Sequence, residues 1–517
     1  MSDLTSLAFD VDDGTLKRLL RAAASKLESD VLPGYLKNQR WYAGKSASIT
    51  NIKIDDVITF PAPEYALCVV SVEASGLAKA RYLLPLTIMR SCPEEAAVLL
   101  APLEGSTGYL VDAFCDLRFP EAVAETIFAP RERQRDIDGK LSVYVSDAGR
   151  KAPSQPSAAR SLGVEQSNTS VRLGDRILKG LRKLEAGIHP EFEVSRFLGQ
   201  QGFPNTPELY GAVEYRGHGS DPATIFLLQS FIPSEGDGWA YACQRLEIIG
   251  NNNEKTKDAT RELLHLAENL GKRTAELHYA LAAGDKDDAF RPEPLDENYL
   301  NGWRTALAAE IETTCTVLER AASLDESTRK LAISLPNRAK QLKNDLGRLI
   351  PEIVPAKRTR IHGDFHLGQV LVTRSDVFII DFEGEPLRSL NERRAKHVAL
   401  RDVAGMLRSF DYAGASAMRA TEAGKRAIQD LVRKMSESFL AAYANAISGC
   451  EIFPEKREVA NALLRTCLLE KALYEVRYEL ANRPSWAGIP LASLDALLTE
   501  MPGPLFERER LESSPSP

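Results

Sequence analysis

The run Ile361-His362-Gly363-Asp364-Phe365-His366-Leu367-Gly368-Gln369-Val370-Leu371 is followed by a short apolar stretch, Val377 to Ile380, that closes on Asp381-Phe382-Glu383. Phosphoryl transfer asks little covalent chemistry of a protein. It needs a group to take the proton of an attacking hydroxyl and oxygen ligands to hold Mg2+ on the phosphates. Asp364, in a tight loop after a short strand, can face such a hydroxyl. Gln369 can offer an amide oxygen to the metal, and Asp381, ending the next strand, a carboxylate. A lone His-Gly-Asp is common, and His362 reads as a structural hydrogen-bonding residue. The triplet Asp364, Gln369 and Asp381, spaced by strand-sized apolar runs, is the specific signal.

The elements that must position these residues follow from pattern. An amphipathic helix opens the chain (Leu16, Leu19, Leu20, Ala23, Leu27), and β-rich runs follow at Ile52 to Phe60, Tyr65 to Glu73 and Ala80 to Leu84. Short strands are expected at Tyr109 to Phe114 and Ser142 to Val145, and Ser146 to Arg160 reads as a linker or long loop. Val164 to Ile232 has the order strand, strand, helix, strand. Beyond Gly238 the chain reads as helical except for a hairpin near His362 to Asp381, with marked helices at Glu262 to Ala282 and Ala460 to Leu480.

The chain has 517 residues with 44% hydrophobic and 26% charged, enough for two to four compact units. A net charge of −7 argues against a general nucleic-acid or anionic-membrane binder. No apolar run reaches the roughly 18–20 residues that span a bilayer, and the N-terminus lacks the apolar core of a signal peptide. Seven Cys without a CxxC pair suggest idle thiols in a reducing cytoplasm.

The catalytic segment follows the order of a protein kinase's catalytic-loop Asp and Asn and its Asp-Phe-Gly, with Gln where Asn usually stands. More closely, HGDFHLGQVLV, IIDFEGEP and LRDVAGMLRSFDYA resemble the maltokinases, members of the aminoglycoside-phosphotransferase-like kinases. Gln39-Arg40-Trp41-Tyr42-Ala43-Gly44-Lys45 is similar to the N-terminal cap signature of that family. Lys471-Ala472-Leu473-Tyr474-Glu475 and the run from Tyr478 to Trp486 are similar to its C-terminal signature. The resemblance extends from about residue 39 to 490. It implies an α+β, bilobal, eukaryotic-protein-kinase-like fold with a cap subdomain at 1–90. An intermediate subdomain and a mixed α/β nucleotide-binding small lobe are expected at 91–236, an all-helical large lobe at 237–506, and a disordered tail at 507–517.

Read alone, the polar turn around Ser167, Asn168, Thr169 and Ser170 is as well explained by a plain loop as by a phosphate cradle. The resemblance implies the cradle, with Lys179 on the α- and β-phosphates of ATP. Helical spacing leaves both Glu191 and Glu193 as partners of Lys179, and the resemblance favours Glu193. Leu227 to Ile232, with Gln229 and Phe231, fits the strand whose backbone meets adenine. On the acceptor side Lys471, Tyr474, Glu475, Tyr478 and Glu479 recur at helical spacing, as sugar recognition would want; a solvated charged stripe is the competing reading. The resemblance implies an acceptor site at Lys471, Tyr474, Glu475 and Tyr478 with His366, and Trp486 beneath or beside it.

The implied activity is phosphorylation of maltose by ATP and Mg2+ to maltose 1-phosphate, feeding α-glucan synthesis. Trehalose synthase is a partner the family suggests, here non-covalent because the chain starts directly with the cap. Another sugar such as glucosamine is the alternative acceptor, whereas neither the cap nor the Lys471 face suits an aminoglycoside. A non-catalytic regulatory module is opposed by the intact Asp364, Gln369, Asp381 and Lys179.

Overall fold

Ile49–Thr59, Tyr65–Ala74 and Ala80–Met89 are dominated by β-branched, aliphatic and aromatic residues and pair in antiparallel succession. The central strand, Tyr65–Ala74, is buried along nearly its whole length, because helical segments cover one face and a second core the other. The computed structural model describes residues 7–8, 16–91, 99–104, 108–129, 140–153, 158–161, 168–217, 219–252, 254–321, 324–386, 388–420, 424–499 and 506. Ser167 and the tail expected at 507–517 lie outside the described residues. The chain divides into two units, Met1–Gly199 with Pro207–Ile232, and Gln200–Thr206 with Pro233–Pro517.

Among the described residues the first unit holds two sheets. One runs in the order Leu7–Ala8, Leu99–Glu104, Tyr109–Asp112, Ala80–Met89, Tyr65–Ala74, Ile49–Thr59, with Lys183–Leu184 also paired to Ala80–Met89. The other runs Leu141–Val145, Leu209–Tyr215, Ala223–Ser230, Arg176–Leu181, Asn168–Leu173, Ala159–Ser161. The single opening helix expected from the leucine spacing is instead broken into Leu16–Ala22, Ala24–Lys26, a wide turn at Leu27–Val31, and Leu32–Asn38. Leu16, Leu20, Leu27, Leu32 and Leu36 still reach the same core, because the breaks re-aim each piece onto the sheet. The expected linker Ser146 to Arg160 also gains structure. Ser146 Oγ caps a helical turn, Asp147–Lys151, by accepting from Gly149 N at 2.9 Å, and Ala159–Ser161 forms an edge strand.

The second unit is built of helices around the short hairpin Val370–Val372 and Val377–Ile379. Aspartates start several of them: Asp237, Asp296 and Asp325 accept from the backbone N–H three residues on, at 2.7, 2.8 and 2.9 Å. The helices read from apolar spacing extend over Thr256–Leu281 and Arg457–Asn482. No helix among the described residues is long and apolar enough to cross a membrane.

Thr256–Leu281 packs against Lys425–Ile447 at unusually close range. A Cβ added at Gly271 would lie 2.3 Å from the carbonyl oxygen of Phe439 and 3.0 Å from the amide of Tyr443. Gly271→Ala therefore has to push the helices apart. The expected cost is about 1–3 kcal/mol, read as a fall of several degrees in Tm; an unchanged Tm would show that the close approach is wrong.

Candidate active site

The hairpin that follows Asp364 is pinned from outside. Arg273 of Thr256–Leu281 holds Asp376 in a two-bond fork at 2.9 and 2.6 Å, and Asn205 donates to Val377 O at 2.9 Å and accepts from Ile379 N at 2.8 Å. Its end is fastened to the loop that carries Asp364: Ile380 N donates to Gln369 O at 3.0 Å, and His362 Nε2 donates to Ile380 O at 2.9 Å. Gln369 and Asp381 are therefore brought together, both half-buried. Asp381 follows with φ +69°, a left-handed conformation that costs roughly 1–2 kcal/mol for a residue with a Cβ. Flanking bonds on both sides of Ile380 hold that strain in place.

The loop that carries Asp364 hangs on a buried carboxylate that the sequence reading did not single out. Asp402, at the start of Leu400–Ala420, accepts from His362 N at 2.8 Å and Gly363 N at 3.0 Å. His278 Nε2 reaches the same carboxylate at 2.9 Å, and its Nδ1 meets the Tyr443 hydroxyl at 3.0 Å. A carboxylate only accepts, so Nε2 carries the proton and Nδ1 accepts from Tyr443. Burial works to raise the Asp402 pKa, but the bonds from His278 and Gly363 outweigh it and hold it below the ordinary value.

Asp364 stands free of any such tether, 3.7 Å from Lys471 Nζ and 3.9 Å from His366 Nε2. His366 Nδ1 accepts from Gly368 N at 3.0 Å, which leaves Nε2–H facing Asp364. Burial lowers the His366 pKa against the pull of Asp364. Lys471 donates to Glu385 at 3.0 Å, and Glu385 also accepts from Arg388 at 2.6 Å. Burial disfavours the Lys471 ammonium, yet the carboxylates of Glu385 and Asp364 prevail and raise its pKa. Burial likewise disfavours the Glu385 carboxylate, and Lys471 and Arg388 lower its pKa overall.

A cavity of about 440 Å³ opens beside this group, lined among others by Gly363, Phe365, Glu385, Arg388, Lys471 and Tyr474. Tyr474 and Tyr478 stack along the helix with centroids 6.2 Å apart, Tyr478 40% exposed. Glu475 does not share their side. Each helical step turns about 100°, and Glu475 points inward, where it meets the fully buried Arg408 at 2.8 Å. Its expected place at the acceptor is therefore corrected. Glu479 is turned in the same way, onto Tyr412 at 3.1 Å and Arg483. Trp486 stacks on Tyr412 at 6.3 Å.

The nucleotide candidates belong to the first unit. Asn168–Leu173 and Arg176–Leu181 form a hairpin in which Ser170 lies opposite Lys179, so both side chains share one face. Lys179 pairs with Glu191 at 2.5 Å, which corrects the expected Glu193. Both glutamates are buried in the first turn of Pro190–Gln201, two residues and about 200° apart around the helix. Thr169 is also corrected. It falls on the opposite face of its strand from Asn168 and Ser170 and accepts from Arg182 Nε at 2.9 Å. Gln229 turns its amide inward to Ser195 at 3.2 Å, and Phe231 lies 3.9 Å under the Arg172 guanidinium.

The side-chain oxygens of Asp381 and Gln369 are hard donors, the kind that would suit Mg2+. Asp402 and Glu385 escaped the sequence reading because their partners lie far off in the chain, although both stand in motifs it quoted.

Comparison with known proteins bears on this geometry. Residues 159–384 match the model of the phosphotransferase enzyme family, and residues 35–116 match the maltokinase N-terminal cap domain. A glucosamine kinase of Mycolicibacterium smegmatis is 27% identical over 342 residues, covering 66% of this chain and 80% of that protein. One from Streptacidiphilus jiangxiensis is 25% identical over 352 residues, covering 66% and 74%. A solved glucosamine kinase in complex with glucosamine, ADP and inorganic phosphate superposes with a TM-score of 0.64 at 19% identity, over 94% of this chain and 99% of that one, a likeness of fold. With a cap of this type ahead of a phosphotransferase domain, the chain is a maltokinase-like kinase of the aminoglycoside-phosphotransferase family.

Proposed function

We propose that this chain transfers the γ-phosphoryl group of ATP to the anomeric hydroxyl of maltose, giving maltose 1-phosphate for α-glucan synthesis. The observation that carries the reading is Asp364 beside Lys471, where Gly363 and Phe365 line a cavity edged by Tyr474. Asp364 takes the proton of the acceptor hydroxyl, and Lys471, fixed by Glu385, steers that hydroxyl. Asp381 and Gln369 would hold Mg2+, which supplies charge neutralisation on the phosphates when bound. Lys179, set by Glu191, and Ser170 on the same strand face serve the nucleotide phosphates; the backbone near Gln229 and Phe231 serves the base.

Pocket charge supports a neutral sugar. Four carboxylates lining the cavity are engaged: Glu385 with Lys471 and Arg388, Glu470 with Arg401 at 3.2 Å and Trp303 at 2.7 Å, Glu310 with Arg477, and Asp402 with His278, while the exposed Glu392 bonds to Ser389. At those four carboxylates an ammonium would compete with the partner already in place, while neutral hydroxyls would not. Glucosamine is the second reading, favoured by the names of the relatives at 27% and 25% identity. Cys68, Cys115, Cys243, Cys315, Cys450 and Cys467 stand as thiols outside any disulfide, which suits a cytoplasmic enzyme.

Asp364→Asn should leave nucleotide binding intact and lower kcat by roughly 10²–10⁴-fold; near-normal turnover of the folded variant would remove it from the role. Tyr474→Ala should raise KM for the sugar roughly five- to thirtyfold while KM for ATP stays within about twofold. Equal changes in both would take Tyr474 out of the acceptor site. Across maltose, glucose, glucosamine and trehalose, maltose should give the highest kcat/KM. Glucosamine as best substrate would overturn the acceptor and leave the kinase chemistry standing.

A further inference from the structure

Arg182 is fully buried, three residues beyond Lys179, at the point where the chain leaves one sheet for the other. Arg176–Leu181 belongs to the sheet that carries Lys179 and Ser170; Lys183–Leu184 already pairs with Ala80–Met89 of the cap. Arg182 O accepts from Leu83 N at 2.8 Å. Its guanidinium lies 2.9 Å from Asp112 Oδ2 and donates through Nε to Thr169 Oγ1 at 2.9 Å. The rings of Trp41 and Phe114 stand 5.3 and 4.7 Å from its central carbon. Asp112 is itself fixed by the Tyr35 hydroxyl at 2.8 Å and Phe114 N at 3.0 Å. The ring of Phe114 fills the space a Cβ at Gly180 would need, 2.4 Å away. Tyr35, Trp41, Asp112 and Phe114 fall within the region matching the maltokinase cap, and Thr169 and Arg182 within the phosphotransferase region.

A buried guanidinium is costly unless its donors are matched, and its best-attested benefit is to fix register. Here it fixes Thr169, whose strand neighbour Ser170 stands opposite Lys179. We propose that Arg182 is a positioning residue through which the cap sets the nucleotide-facing strand pair, so that nucleotide affinity depends on cap side chains that never touch the nucleotide. The inference rests on the assignment of Lys179 and Ser170 to the nucleotide made above.

Thr169→Val keeps the shape and removes only the acceptor, and Thr169→Ser restores it. Tyr35→Phe perturbs the same chain from its cap end. The probe is Mg·ADP binding by calorimetry, with steady-state KM for ATP and for the sugar alongside. Thr169→Val should raise Kd for ADP and KM for ATP by roughly three- to tenfold, as the loss of one charged hydrogen bond implies. KM for the sugar should stay within about twofold, Thr169→Ser should bind like wild type, and Tyr35→Phe should shift Kd the same way by less. Unchanged Kd in Thr169→Val, or equal rises in both KM values, would overturn the proposal. Should Thr169→Val fail to fold, an unchanged Kd in folded Tyr35→Phe would do so. Wild type that binds no ADP would instead remove the nucleotide assignment, and the inference with it.

Discussion

The loop that carries Asp364 hangs on one buried carboxylate, Asp402. Asp402 takes two consecutive amides of that loop, from His362 and Gly363, so it fixes the peptide plane from which Asp364 departs. A lone buried carboxylate would be several kcal/mol out of balance. His278 supplies the matching donor, and Tyr443 fixes the tautomer that makes His278 a donor there. Burial holds the Tyr443 pKa well above its ordinary value, which keeps its hydroxyl protonated and able to donate. His278 and Tyr443 come from the two helices whose approach Gly271 permits, so helix packing far from the cavity is translated into loop geometry.

That fixed loop lets strain be stored next to it. Asp381 adopts φ +69°, and the residue before it is bonded at both its amide and its carbonyl, to Gln369 and to the ring of His362. His362 thus serves twice: its amide hangs on Asp402, and its imidazole ties down the strand end. It also packs against Phe365 and Phe382, at 5.3 and 5.0 Å between ring centres. Strained backbone persists only where its surroundings over-determine it, and these three hydrogen bonds with the ring packing meet that condition. The proposed metal ligand is consequently held before any ligand arrives.

The legible part of the sequence was the part whose meaning is local. Asp364, Gln369 and Asp381 announce themselves by spacing along one loop and hairpin, and the long helices by apolar period. What needed an orientation was not legible. Glu191 and Glu193 differ only in which side of a helix turns toward Lys179, a fact set by how Pro190–Gln201 packs. Thr169 looked equivalent to Ser170 until strand alternation sent it to the other face. Glu475 sits between Lys471 and Tyr478 in the helical pattern, yet Arg408, some 67 residues away, claims it. Asp402 and Glu385 stand in quoted motifs, and only long-range bonds to His278 and Lys471 reveal their roles.

The cavity's charge balance follows from the same economy of matched groups. Glu385 has its pKa lowered and Lys471 has its own raised, so each keeps the other charged. The contribution of Glu385 is present above the ordinary carboxylate range and disappears only as pH falls through its depressed value. That of Lys471 disappears only as pH rises past its elevated one. Between these limits the pair is inert to pH. Burial lowers the His366 pKa, which disfavours a charge on the ring whose Nε2 lies 3.9 Å from Asp364. Asp364 makes no short bond to a cation among the described residues and lies 3.7 Å from an ammonium already engaged by Glu385. An accepting carboxylate left with unfilled lone pairs, among acids whose partners are fixed, is what an incoming hydroxyl requires of a base.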